Sequence, residues 1–180
     1  MPRYVALLRA INVGGHVVKM DELRAHFEAL RFARVESVIA SGNILFDTSA
    51  TADATLEARI EKRLFASLGY EVGTCVRSAD EMARVAAHTP FRDDPVVEGD
   101  TLHVMFLKTA LSADALPRVA ALATSYDSFE VVGRELYWRT RGRSSDSKIT
   151  PAAMNRALGG VSGTARNITT VRKLAARMTT

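Results

Sequence analysis

Tyr4-Val5-Ala6-Leu7-Leu8-Arg9-Ala10-Ile11-Asn12-Val13-Gly14-Gly15-His16 is the stretch from which the fold is read. The apolar residues before Arg9 show no polar alternation, so the strand they form is expected to be covered on both faces. The strand runs into a basic, amide-bearing turn with two adjacent glycines. Beyond it, Met20, Leu23, Phe27 and Leu30 recur at helical spacing. Asp21 and Glu22 fall in the first turn of that helix, where the dipole favours acids.

Reading outward, Val35–Ala40 and Ile44–Asp47 form two strands joined tightly at Ser41-Gly42-Asn43. Asp53 caps a second helix with apolar face Leu56, Ile60, Leu64 and Leu68, ending near Gly69. Glu71–Arg77 completes a β-α-β-β-α-β order, the ferredoxin-like arrangement. A short helix over 80–87 and a polar, proline-containing stretch over 89–100 follow. The pattern then restarts, Val104-Met105-Phe106-Leu107-Lys108 mirroring Val5-Ala6-Leu7-Leu8-Arg9. A helix after Ser112, a hairpin across Gly133-Arg134, and a helix from Thr150-Pro151 to Gly159-Gly160 come next. A short strand over 161–165 precedes a last helix carrying Val171, Leu174 and Met178. The expected architecture is α+β: two tandem ferredoxin-like (βαββαβ) halves with antiparallel sheets. Their bounds are 1–88 and 101–180, with a linker at 89–100 and a basic C-terminal helix. Identity between the halves is too low to establish a repeat by itself.

A chain of 180 residues can bury a full core without staples. The single cysteine, Cys75, excludes a disulfide framework, and no Cys/His cluster has zinc-ligand spacing. No leader and no apolar run long enough to span a bilayer stands in the sequence. A cytoplasmic protein with no membrane partner and no cofactor is expected. Charge is uneven: from Gly133 onward ten Lys/Arg face two acids, whereas the preceding residues carry fourteen against eighteen. A basic quarter on a mildly acidic body suits nucleic acid or other phosphates, or is a solvated arginine-rich surface.

The first candidate site is Arg9, Asn12, Gly14, Gly15, His16 and Lys19, where glycines admit backbone N–H groups to a ligand and the cations add charge. It is neither a P-loop nor a dinucleotide fingerprint. Ser41 and Asn43 are a second candidate, equally explained as turn chemistry. Arg166 and Asn167 are a third, an anion clamp or else a helix cap with a surface arginine. Lys148 ends a hydrophilic loop that could contact anions. Ser145 and Lys148 fit a Ser-x-x-Lys pair, but the partner motifs of an acylating enzyme are missing. Phe46, Tyr137 and Trp138 occupy sheet positions from which RNA-recognition modules stack bases, although core packing explains them better. His16 is the one histidine in a candidate loop and so the catalytic candidate.

Leu7–Gly15, Ser41-Gly42-Asn43-Ile44-Leu45-Phe46 and Thr164–Leu174 occur in an order that closely resembles the bacterial domain-of-unknown-function 1697 family. The resemblance covers essentially the whole chain and implies two ferredoxin-like halves, but no activity. That family usually has Gly at the position of Ala10 and Trp at the position of Ile168. Three functions therefore stand open: a binder of a phosphate-bearing ligand (a nucleotide or nucleic acid), an enzyme acting on a small anion through His16, and a structural or interaction protein without a ligand.

Overall fold

The structure, a computed structural model, describes residues 1–39 and 42–179. Its elements are β1 (Arg3–Leu8), α1 (Met20–Glu28), β2 (Ala33–Ser37), β3 (Asn43–Asp47), α2 (Ala54–Leu68), β4 (Thr74–Ser78) and α3 (Ala79–Ala87). The second series is β5 (Thr101–Leu107), α4 (Ala115–Ala120), β6 (Asp127–Val132), β7 (Glu135–Thr140), α5 (Pro151–Ala157), β8 (Gly163–Asn167) and α6 (Ile168–Met178).

Two four-stranded antiparallel sheets result, with orders β2-β3-β1-β4 and β6-β7-β5-β8. The same permutation twice over is two ferredoxin-like halves in tandem, as expected. Tyr4 through Leu8 of β1 are all buried, so the uninterrupted apolar run does mark a strand covered on both faces. One face of the first sheet packs Tyr4, Ala6, Leu8, Ile44, Phe46 and Val76 against Leu23 and Phe27 of α1 and Leu56, Ile60 and Leu64 of α2. Phe46 meets Phe27 and Phe32 there, so it is core and not a base-stacking platform. In the second sheet Leu107 and Leu136 pack with Val119 of α4 and Met154 of α5. Tyr137 is 1% exposed and Trp138 half-buried; as strand neighbours they face opposite sides of the sheet and cannot stack consecutive bases.

The start signals read from sequence act as written. Asp53 accepts the amides of Thr55 and Leu56 at 2.9 and 3.0 Å, and the Thr150 hydroxyl accepts that of Ala153 at 3.1 Å. Pro117 lies inside α4, in its first turn, where its missing N–H breaks no helical bond.

The chain divides into two compact units, Met1–Ala86 with Arg172–Thr180, and Ala87–Val171. Residues 89–100, read from sequence as a linker, group with the second unit, and the end of α6 groups with the first. The reason for the former is electrostatic. Glu130 accepts the Phe91 amide at 2.8 Å, Asp94 pairs with both Arg139 and Arg141, and Asp100 pairs with Arg141 at 3.2 Å. A polar composition hides such a strap, because its anchors lie some forty residues away in sequence.

Candidate functional site

In the first unit the residues between β1 and α1 form an exposed loop whose backbone is held in an unusual shape. Ala10, Asn12, Gly14 and Gly15 have φ of +57°, +58°, +62° and +84°. Asparagine and glycine reach this left-handed region at low cost, whereas alanine does not. A Cβ on Gly14 or Gly15 would meet nothing within 4 Å, so these glycines serve the turn rather than a close packing contact. The Asn12 side-chain oxygen accepts the Val18 amide at 2.5 Å and ties the loop across its base. The loop is anchored beneath by Ile11 and Val18, both buried. Its neighbours are the residues before β4: the Arg9 amide donates to the Gly73 carbonyl at 2.7 Å, and the His16 ring stacks on Tyr70 with centroids 4.0 Å apart.

What this loop presents is charge. Arg9, His16 and Lys19 are exposed, and none of their side chains makes a hydrogen bond or ion pair among the described residues. In the same unit Arg3, Arg24 and Arg34 are each spent on a carboxylate: Asp47 and Glu36 for Arg3, Asp21 for Arg24, Asp47 for Arg34.

The hairpin between β2 and β3 supports this loop. Gly42 has φ +77°, and a Cβ there would lie 2.5 Å from the Ile11 side chain. Its carbonyl accepts the Leu8 amide at 2.8 Å. Asn43 is 1% exposed, and its amide donates to the Val38 and Ile39 carbonyls, both at 3.1 Å. Its side chain therefore closes the hairpin and is not offered to solvent. Ser41 lies outside the described residues.

The C-terminal candidates are placed differently. Arg166 sits in β8 opposite Val104 and is buried; its guanidinium donates to the Thr164 hydroxyl at 2.7 Å and the Ala165 carbonyl at 2.8 Å. Asn167 accepts the Thr169 amide at 2.9 Å, so it turns the chain into α6. Asn167 is placed as the cap, but Arg166 is buried and not at the surface as the cap reading expected. Lys148 is exposed, with no polar partner among the described residues. Ser145 lies in a single 3-10 turn over Ser144–Asp146, not at the start of an α-helix as an acylating serine requires.

A feature that sequence reading passed over lies in the second unit. A cleft of about 430 Å³ opens between the strap at 91–94 and the Ser128, Glu130 and Arg139 face of β6 and β7. Arg139 is 2% exposed, donates to Ser128 Oγ at 2.7 Å, and lies 4.8 Å over the Phe91 ring. Glu130 is 2.6 Å from His88 Nε2. Burial works against the Glu130 charge, but the Phe91 amide and His88 hold its carboxyl below the ordinary range. Burial pushes the phenol of Tyr137, which packs against His88, well up. The signal was present in sequence: period-two alternation puts Ser128 and Glu130 on one face, and Arg139 on the face of Tyr137. The strap that completes the cleft carried no such pattern.

Among the described residues no group of His, Cys, Asp and Glu could hold a metal ion, and no helix is long and apolar enough to cross a membrane. No curated protein matches the chain. Among solved structures, a conserved bacterial protein, SP0830 from Streptococcus pneumoniae, superposes with a TM-score of 0.72 at 20% identity, covering 100% of this chain and 99% of its own. That likeness is one of fold. The model of a family described as proteins of unknown function, DUF1697, matches residues 1–137, and the chain belongs to that family.

Proposed function

We propose that the loop from Arg9 to Lys19 binds a phosphate-bearing ligand, a nucleotide or nucleic acid. The observation that carries this reading is the combination of a stiffened backbone with unspent cations. Positive φ at four positions and the Asn12–Val18 bond fix the loop, while Arg9 and Lys19 have no carboxylate to neutralise them among the described residues. A loop already ordered loses less conformational entropy when it captures an anion. Arginine supplies a fork suited to two phosphate oxygens, and lysine a point charge. His16, held on Tyr70, adds a flat polar group beside them. With this reading we also propose a cytoplasmic location, where nucleotides and nucleic acid are abundant.

The test is binding of inorganic phosphate, ATP and short single-stranded RNA and DNA to the full chain, with Arg9→Ala/Lys19→Ala as the control. Thermal stabilisation that saturates and is lost in the double variant supports the reading. For a nucleic acid, affinity should fall steeply with salt, and each phosphate contact removed should reduce the slope by about 1. Binding that is indifferent to the double variant, or no binding to any of these probes, overturns it. His16→Ala separates binding from catalysis: it should weaken binding only modestly if the ring is a platform.

A further inference from the structure

We propose that the cleft beside the 91–94 strap is a second ligand site, for a small carboxylate with a flat or apolar body, and that the Asp94 carboxylate now occupies the position such a ligand would take. The proposal is independent of the loop in the first unit.

The argument begins with Arg139. A guanidinium 2% exposed has surrendered its water, and a buried charge left unpaired is costly. The strap supplies its anionic partner: Nη2 donates to Asp94 Oδ2 at 2.7 Å and Nη1 to the Asp94 carbonyl, while β6 supplies only the neutral Ser128 Oγ, at 2.7 Å from Nη2. Its Nε is buried with no partner among the described residues. Arg141, just past the end of β7, also donates to the Asp94 carboxylate. Two arginines thus converge on one oxygen of one carboxylate, Asp94 Oδ2, and such charge-assisted donors suit an oxyanion.

The carboxylate they grip is weakly held from its own side. The Asp94 side chain is 60% exposed, and it belongs to a segment between α3 and β5 with neither helix nor strand. Asp94 itself stays open to water, so its carboxylate can be rehydrated when it lets go of the arginines, whereas the buried guanidinium cannot. The arginine therefore needs an anion more than the strap needs the arginine. An anion from solvent that reaches Arg139 can replace Asp94 without leaving a buried charge bare.

The cleft beside that position selects among anions. At about 430 Å³ it lies within the range for small-molecule sites. Phe91, already under the Arg139 guanidinium, supplies a flat apolar wall. Glu130 stays ionised and Asp93 lies at the rim, so the surroundings repel a polyanion. A single carboxylate matches Asp94 in charge and shape; a phosphate or polyphosphate brings excess negative charge. Arg92 at the rim offers a second, exposed contact.

The experiment uses the full chain, with benzoate as probe and inorganic phosphate in parallel. Binding is followed by calorimetry and by the Nε–H resonance of Arg139. Asp94→Asn keeps the size of the occupant and removes its charge. If the arginines are free of Asp94 only about a tenth of the time, this change should tighten benzoate by about tenfold. Asp94→Asn/Arg141→Gln should lose that gain, and Arg9→Ala/Lys19→Ala should leave it unaltered. A folded Asp94→Asn protein that binds benzoate no better than wild type overturns the proposal. Should Asp94→Asn fail to fold, the wild-type titration decides: a saturable shift of the Arg139 Nε–H resonance supports the site, and none overturns it. Phosphate binding as tight as benzoate overturns the carboxylate preference.

Discussion

Ala10 holds a left-handed backbone on a residue that carries a Cβ. At φ +57° its Cβ crowds the following carbonyl, a cost of roughly 1–2 kcal/mol that glycine escapes. Glycine is the residue that the resemblance to the family led us to expect there. Ala10→Gly should raise stability by about 0.5–1 kcal/mol after the greater entropy of an unfolded glycine is subtracted, measured as a higher urea midpoint with unchanged slope. Gly42 is the opposite case. It combines φ +77° with a Cβ position 2.5 Å from Ile11, so Gly42→Ala forces both backbone strain and displacement of a buried side chain. A loss of about 2–4 kcal/mol is expected, with the 9–19 loop exchanging its amides faster because Ile11 is its anchor.

At the scale of elements, carboxylates do more than cap helices. β4 lies at the edge of its sheet, and its Thr74 and Val76 amides donate to Glu61 and Glu57 of α2, each at 2.8 Å. The helix thereby covers donors that would otherwise template another strand. Glu57 is 2% exposed, so Glu57→Ala should cost about 1.5–3 kcal/mol in chemical denaturation. The β2–β3 side of the first sheet depends on pH in a definite sense. Burial disfavours the Asp47 charge, but hydrogen bonds from Arg34 and Arg3 outweigh it and hold the carboxyl below its ordinary value. A depressed folded value stabilises fully above the unfolded value and is lost as pH falls through the folded one. The loss should therefore begin near pH 4 and grow below it. Asp47→Asn should flatten that acid limb while lowering stability at neutral pH.

Across the whole molecule the two halves repeat more deeply than their residues do. Glu36 stands opposite Leu45 in the first sheet, and Glu130 opposite Tyr137 in the second. Each carboxylate is met by a side chain from the end of a helix: Glu36 by Arg177 in the last turn of α6 at 2.7 Å, and Glu130 by His88 just past α3 at 2.6 Å. Because residues 172–180 group with the first unit, their deletion should loosen that unit selectively. Amide exchange should rise in β2 and β3 and remain slow in β6 and β7. The single tryptophan, Trp138, lies in the second unit, so its fluorescence should report little change until that unit itself unfolds.

The order of strands and helices was determined by the sequence itself, because caps at Asp53 and Thr150, hairpin turns and apolar periodicity are local forces acting over a few residues. The exposed cations Arg9 and Lys19 were legible for the same reason, being part of a strand-turn-helix junction with its own glycines. Tertiary structure alone decided which polar groups were spent. Asn43 closes a hairpin, Arg166 is buried among β8 neighbours, and Asn167 turns the chain into α6. It also built the Arg139 cleft, whose partners Asp94 and Arg139 stand forty-five positions apart. No periodicity connects residues at that separation; only the pairing of a buried guanidinium with an anion, a requirement of desolvation, brings them together.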